Sequence, residues 1–118
     1  MHIHRPVVDV WCVFPEDITD PGLCAAYFEL LGESELDRYS RIFFDHDRHT
    51  FLVTRALLRC VLSQYAPIQP AAWTFGTNRY GKPRIENEPD LAQELSFNVS
   101  HTNGMVIVAV TAGASIGV

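Results

Sequence analysis

Leu95-Ser96-Phe97-Asn98-Val99-Ser100-His101-Thr102-Asn103-Gly104-Met105-Val106-Ile107-Val108-Ala109-Val110 is the stretch whose reading decides the fold. Leu95, Phe97 and Val99 alternate with Ser96, Asn98 and Ser100, the pattern of a half-buried strand. Thr102-Asn103-Gly104 reads as a tight turn, because Asn-Gly tolerates positive φ. Met105 to Val110 is a continuous apolar run of strand length, which predicts a strand covered on both faces. Gly113 breaks the chain, and Ser115-Ile116-Gly117-Val118 starts another extended segment.

Working outward, Tyr80-Gly81-Lys82-Pro83-Arg84 reads as a turn followed by an extended tripeptide, since Pro83 holds Lys82 extended. Ala72 to Asn78 predicts a strand with Trp73 and Phe75 on one face, and Glu86 to Glu94 an exposed acidic connection. At the other end, Val7 to Phe14 predicts a strand with Val8, Val10 and Cys12 on one face. A helix follows from Pro21, with Asp20 as N-cap and Gly32 as C-cap. Leu23, Tyr27, Leu30 and Leu31 should face the core. A short helix over Ser34 to Ser40 should expose Glu35, Asp37, Arg38 and Arg41.

The longest helix spans about Asp47 to Tyr65, capped by Asp45 or Asp47. Leu58, Val61, Leu62 and Tyr65 form its core stripe, and Arg48, Arg55 and Arg59 a stripe on another face. Arg48, nearest the N-terminus, should meet an anion with the helix dipole, and Arg59 should make a structural ion pair. The fold class is therefore α+β: a small, mostly antiparallel sheet with one long helix packed on it, in a single domain over 1–118.

Composition bounds the rest. With 118 residues, 47% of them apolar, the chain can bury one core without staples. No apolar run approaches the ~20 residues of a membrane helix, and Met1 to Pro6 carries no signal-peptide segment. Cys12, Cys24 and Cys60, odd in number and widely spaced, suit reduced thiols in a cytoplasmic protein. A net charge of −5 argues against nucleic-acid binding. Yet Arg48 to Ile85 holds no Asp or Glu, while Arg48, Arg55, Arg59, Arg79, Lys82 and Arg84 give it a formal charge of +6. A basic middle in an acidic chain suggests a local anion site. His46 and His49, at i and i+3, could pair on a metal, but no third ligand accompanies them and a helix-end surface is the simpler reading. Ser100 and His101 are not a nucleophile–base pair, because neighbours on a strand point to opposite faces.

Gly81-Lys82-Pro83, then Phe97-Asn98-Val99-Ser100-His101, an apolar strand and Ile116-Gly117-Val118 stand in the order found in one family. By these motifs the chain resembles the 4'-phosphopantetheinyl transferases of the surfactin-synthetase-activating type, over roughly its last two-thirds from Arg38. The resemblance implies two similar α/β halves about a pseudo-twofold axis, of which this chain is the N-terminal one. It implies transfer of 4'-phosphopantetheine from coenzyme A to a serine of an acyl or peptidyl carrier protein, in fatty-acid, polyketide or nonribosomal peptide synthesis. Lys82 and Pro83 would line the adenine site, Ser100 and His101 would contact phosphates, and Arg38 and Arg48 would stand in for cations near the 3'-phosphate. Thr50 stands where an arginine is common, Glu35 where a lysine occurs, and Met105 where a tryptophan is frequent; Arg59 matches an arginine. The resemblance places the Mg²⁺ ligands beyond Val118, so a truncation before the metal motif is expected, as is an inactive fragment with a bare hydrophobic face. The competing reading is a non-catalytic module of the same fold that binds a nucleotide or a carrier protein.

Overall fold

The computed structural model describes residues 8–77, 79–80, 83–87 and 95–111. Among these, three α-helices and two antiparallel sheets are present. The α+β class and antiparallel pairing expected from the sequence hold, but the strands divide into a three-stranded and a two-stranded sheet.

The larger sheet has the order β1 (Val8–Val13), β5 (Met105–Thr111), β4 (Ser96–Thr102). Thr102 pairs with Met105 across Asn103 and Gly104, whose φ values are 47° and 78°. Both turn residues are thus left-handed, the geometry that matches the twist of a two-residue hairpin. In the central strand Val106, Val108 and Val110 are buried, while Met105, Ile107 and Ala109 are only half-buried. Among the described residues the expected cover on both faces is complete on one face alone; on the other, Thr111 is also buried. The outer face carries Val8 and Val10, 50% and 62% exposed, beside Cys12.

The smaller sheet pairs β2 (Phe75–Thr77) with β3 (Pro83–Ile85), Phe75 opposite Ile85 and Thr77 opposite Pro83. The expected strand over 72–78 is shorter, since Pro70–Ala72 forms a 3-10 turn. Phe75 meets Phe97 of β4 edge to face, centroids 6.0 Å apart, which joins the sheets. Asn87 also secures β3: its Oδ1 accepts from the Thr74 backbone N–H at 2.8 Å, and its Nδ2 donates to the Ala72 carbonyl at 3.0 Å.

Helix α1 (Pro21–Leu30) begins as the sequence predicts, with Asp20 Oδ2 accepting from the Leu23 N–H at 2.8 Å. Leu31 is buried, but Leu23 is exposed. Gly32 is not a C-cap. It stands at the N-cap of α2 (Glu33–Arg41), where its N–H donates to Glu35 Oε1 at 2.8 Å. Helix α3 (Asp45–Leu62) starts two residues earlier and ends three earlier than expected, with Phe44 at its N-cap and no side-chain cap. Asp45 and Asp47 lie inside its first turn, where they favour the dipole without capping.

Leu58, Val61 and Leu62 of α3 pack with Ala66, Ile68, Trp73, Val108 and Val110 as the core. Trp73 is 1% exposed and its indole N–H donates to Ser63 Oγ at 2.8 Å, so its polar edge is satisfied. Each fully buried aliphatic contributes about 1.5–3 kcal/mol. Leu58→Ala should therefore cost about 2–5 kcal/mol in urea unfolding, the cavity term included. Gly104→Ala should cost about 1–2 kcal/mol in the same measurement, through left-handed strain alone.

Candidate functional site

Strand register assigns the faces of β4. Phe97, Val99 and His101 lie opposite Val110, Val108 and Val106, on the face turned to the helices. Ser96, Asn98 and Ser100 lie opposite Thr111, Ala109 and Ile107, on the outer face. Ser100 and His101 are both exposed, and they present their side chains to opposite sides of the strand. A ligand touching both must reach around the end or edge of β4.

On the helix side, His101 and the 102–106 turn border a cavity of about 250 Å³, closed by Glu16, His46, Asp47 and Thr50. Two histidines and two carboxylates face it, so its charge is mixed. His46 Nε2 is 3.3 Å from Glu16 Oε1, and its Nδ1 is 3.6 Å from Asp47 Oδ1. His49 Nε2 donates to the Pro15 carbonyl at 2.8 Å. The two helix histidines thus fasten the 3-10 turn Pro15–Asp17 to α3.

The cations divide by partner. Arg48 is ion-paired with Asp45 on its own helix turn, an acid that competes with any phosphate for the guanidinium. Arg38 is exposed and sits over the Phe51 ring, 5.3 Å from its centroid. Arg55 and Arg59 converge on Glu35, which is 5% exposed, contrary to the expected surface position. Arg59 Nε donates to Glu35 Oε1 at 2.9 Å and Arg55 Nε to Oε2 at 2.5 Å. The expected structural ion pair of Arg59 is therefore present. Burial alone raises the Glu35 carboxyl; the hydrogen bonds from Arg59, Arg55 and the Gly32 N–H, with the charge of Arg55, reverse this and hold it below its ordinary value.

Gly81 and Lys82 lie outside the described residues, and Pro83 opens β3. Strand β3 borders β4, and the aromatic contact between the two sheets, Phe75 on Phe97, lies at the start of β4. The sequence reading missed Glu35 as a buried hub and Glu16, His46 and Thr50 as cavity walls. An available signal was Arg55 and Arg59 at i, i+4, flanking the apolar Ala56 and Leu58; arginines in such a stripe require a buried acid. Among the described residues no three His, Cys, Asp or Glu side chains group as a metal site. They offer no ligand set for Mg²⁺. No described helix is long and apolar enough to cross a membrane.

The fold and strand-end motif define an α+β unit with an Asn98-x-Ser100-His101 edge beside a helix N-terminus. The chain belongs to the 4'-phosphopantetheinyl transferase family, whose N-terminal domain description matches residues 21–113. It is 32% identical over 88 residues to the 4'-phosphopantetheinyl transferase HetI of Nostoc sp., covering 75% of this chain and 37% of that protein. It is 29% identical over 83 residues to the 4'-phosphopantetheinyl transferase Sfp of Bacillus subtilis, covering 70% and 35%. A phosphopantetheinyl transferase of Thraustochytrium sp. is 30% identical over 104 residues, covering 88% and 34%. The chain thus spans about a third of the length of the curated relatives it matches.

The lowered Glu35 value has a signed consequence. A depressed folded-state value contributes stability that is complete above the unfolded glutamate value, about 4.3, and is lost as pH falls through the folded one. Wild-type unfolding free energy should therefore fall with acid more steeply than that of Glu35→Gln, measured by urea titrations from neutral pH downward.

Proposed function

We propose that the complete protein transfers 4'-phosphopantetheine from coenzyme A to a serine of an acyl or peptidyl carrier protein in the cytoplasm, and that this chain supplies part of the coenzyme A site. In that reaction the serine oxygen bonds to the phosphorus that bears the pantetheine arm. The P–O bond to the nucleotide breaks, adenosine 3',5'-bisphosphate leaves, and the serine proton passes to a base. Family membership supports the reaction class. The observation that carries the local reading is the exposed Ser100-His101 strand end, whose His101 borders the cavity at the start of α3.

In this reading His101 donates to the 3'-phosphate from the helix side of β4, and Ser100 reaches a phosphate from the outer side. Lys82 and Pro83 line the adenine. Arg38 adds positive charge, and Arg48 does so on exchanging Asp45 for a phosphate. The rest of a relative-length protein would form the second, pseudo-twofold half and cover the exposed Val8 and Val10 face. The Mg²⁺ of the reaction would be held there.

In the protein expressed from its complete reading frame, His101→Ala should weaken coenzyme A more than 3'-dephospho-coenzyme A, by about tenfold in Kd, as loss of one charge-assisted hydrogen bond implies. Equal loss for both ligands overturns the assignment. The 118-residue chain mixed with coenzyme A, Mg²⁺ and an apo carrier protein should leave the carrier mass unchanged. A carrier that gains the phosphopantetheine mass overturns the division of labour between the halves.

A further inference from the structure

The hairpin of β2 and β3 is small, and its place is set from outside. Arg59 turns one nitrogen away from Glu35 and donates to the carbonyls of Pro70 at 3.0 Å and Trp73 at 2.8 Å, the segment that leads into β2. The guanidiniums of Arg55 and Arg59 both lie over the Phe75 ring, 4.9 and 5.2 Å from its centroid. Phe75 in turn meets Phe97, four residues before His101. One carboxylate on α2 therefore orients two forks on α3, and these orient the β2–β3 hairpin against β4.

We propose that Glu35 is a positioning residue for nucleotide recognition: through Arg55 and Arg59 it fixes the β2–β3 hairpin against β4 as the wall for the purine nucleotide end of coenzyme A. The inference rests on the reading of β3 and β4 given above. Stability alone does not call for this arrangement, since a buried ion pair is often replaceable by apolar groups at little cost. What the planar forks add is direction, because each guanidinium fixes its partners in one plane. None of Glu35, Arg55 and Arg59 borders the His101 cavity, so the network acts on the base wall and not on the phosphate contacts. It should set the affinity for the nucleotide and leave turnover of bound substrate intact.

The test uses the protein from its complete reading frame, wild type beside Glu35→Gln and Arg55→Met. Titration calorimetry reads the Kd of adenosine 3',5'-bisphosphate, and steady-state assays with an apo carrier read KM for coenzyme A and kcat. Both variants should bind the nucleotide about tenfold more weakly and raise KM about tenfold with kcat within about twofold, as misplacement of a binding wall by a fraction of an ångström implies. If Glu35→Gln fails to fold, Arg55→Met decides, because it leaves the Arg59–Glu35 pair in place. Variants that bind as wild type does, or that lose kcat at unchanged KM, overturn the inference alone. A wild-type protein that does not bind adenosine 3',5'-bisphosphate overturns the reading of β3 and β4, and this inference with it.

Discussion

Glu35 is a carboxylate taken out of water, and the rest of the molecule is arranged to make that tolerable. An isolated buried charge is costly by several kcal/mol after relaxation, so it survives only with partners on all sides. Here the Gly32 N–H reaches Oε1 from the helix start, while Arg55 and Arg59 approach from α3. Gly32 suits its place because a Cβ there would come within 3.1 Å of an Arg59 nitrogen. Arg59, 2% exposed, then transmits the constraint to the Pro70 and Trp73 carbonyls. Two helices and the entry to a sheet thus meet on one side chain.

This hub changes the meaning of the chain's charge distribution. Six cations without an acid between Arg48 and Ile85 suggest a positive surface. Folding sends Arg55 and Arg59 inward to an acid from outside that stretch, and Arg48 to Asp45. Three of the six cations thus pair with two protein carboxylates. In the proposed reading anion recognition falls to fewer groups, with the exposed end of β4, its hydroxyl and imidazole on opposite sides, as its centre. The acids in the first turn of α3 oppose anion binding at that helix end, which also moves the weight toward the strand.

The larger sheet has an inner face closed by α3 and an outer face with exposed valines. A polar tie braces β1 from the inner side: the Trp11 indole N–H donates to Tyr65 Oη at 3.0 Å, and the Tyr65 hydroxyl donates to Asp9 Oδ2 at 2.6 Å. Asp9, which interrupts the apolar run of β1, is thereby explained. The outer face has no such partners among the described residues, and it is the surface the proposed second half would cover.

The sequence by itself determined what local rules govern. Alternation from Leu95 to Ser100 and the Asn103-Gly104 dipeptide specified the β4–β5 hairpin, and Asp20-Pro21 the start of α1, because strand period, turn φ and capping depend on neighbours along the chain. Three motifs in order, Gly81-Lys82-Pro83, Phe97-Asn98-Val99-Ser100-His101 and Ile116-Gly117-Val118, also pointed to the family. Tertiary structure alone decided which polar residues are buried. Glu35 reads as exposed because nothing near it in sequence pairs with it; its arginines are 20 and 24 residues away. Gly32 could end one helix or begin the next, and the reach of Glu35 selected the latter. The same holds for the one-sided cover of β5 and for the cavity that joins His101 to His46 and Thr50, since both arise from where α3 lies across the sheet, a placement fixed by long-range packing.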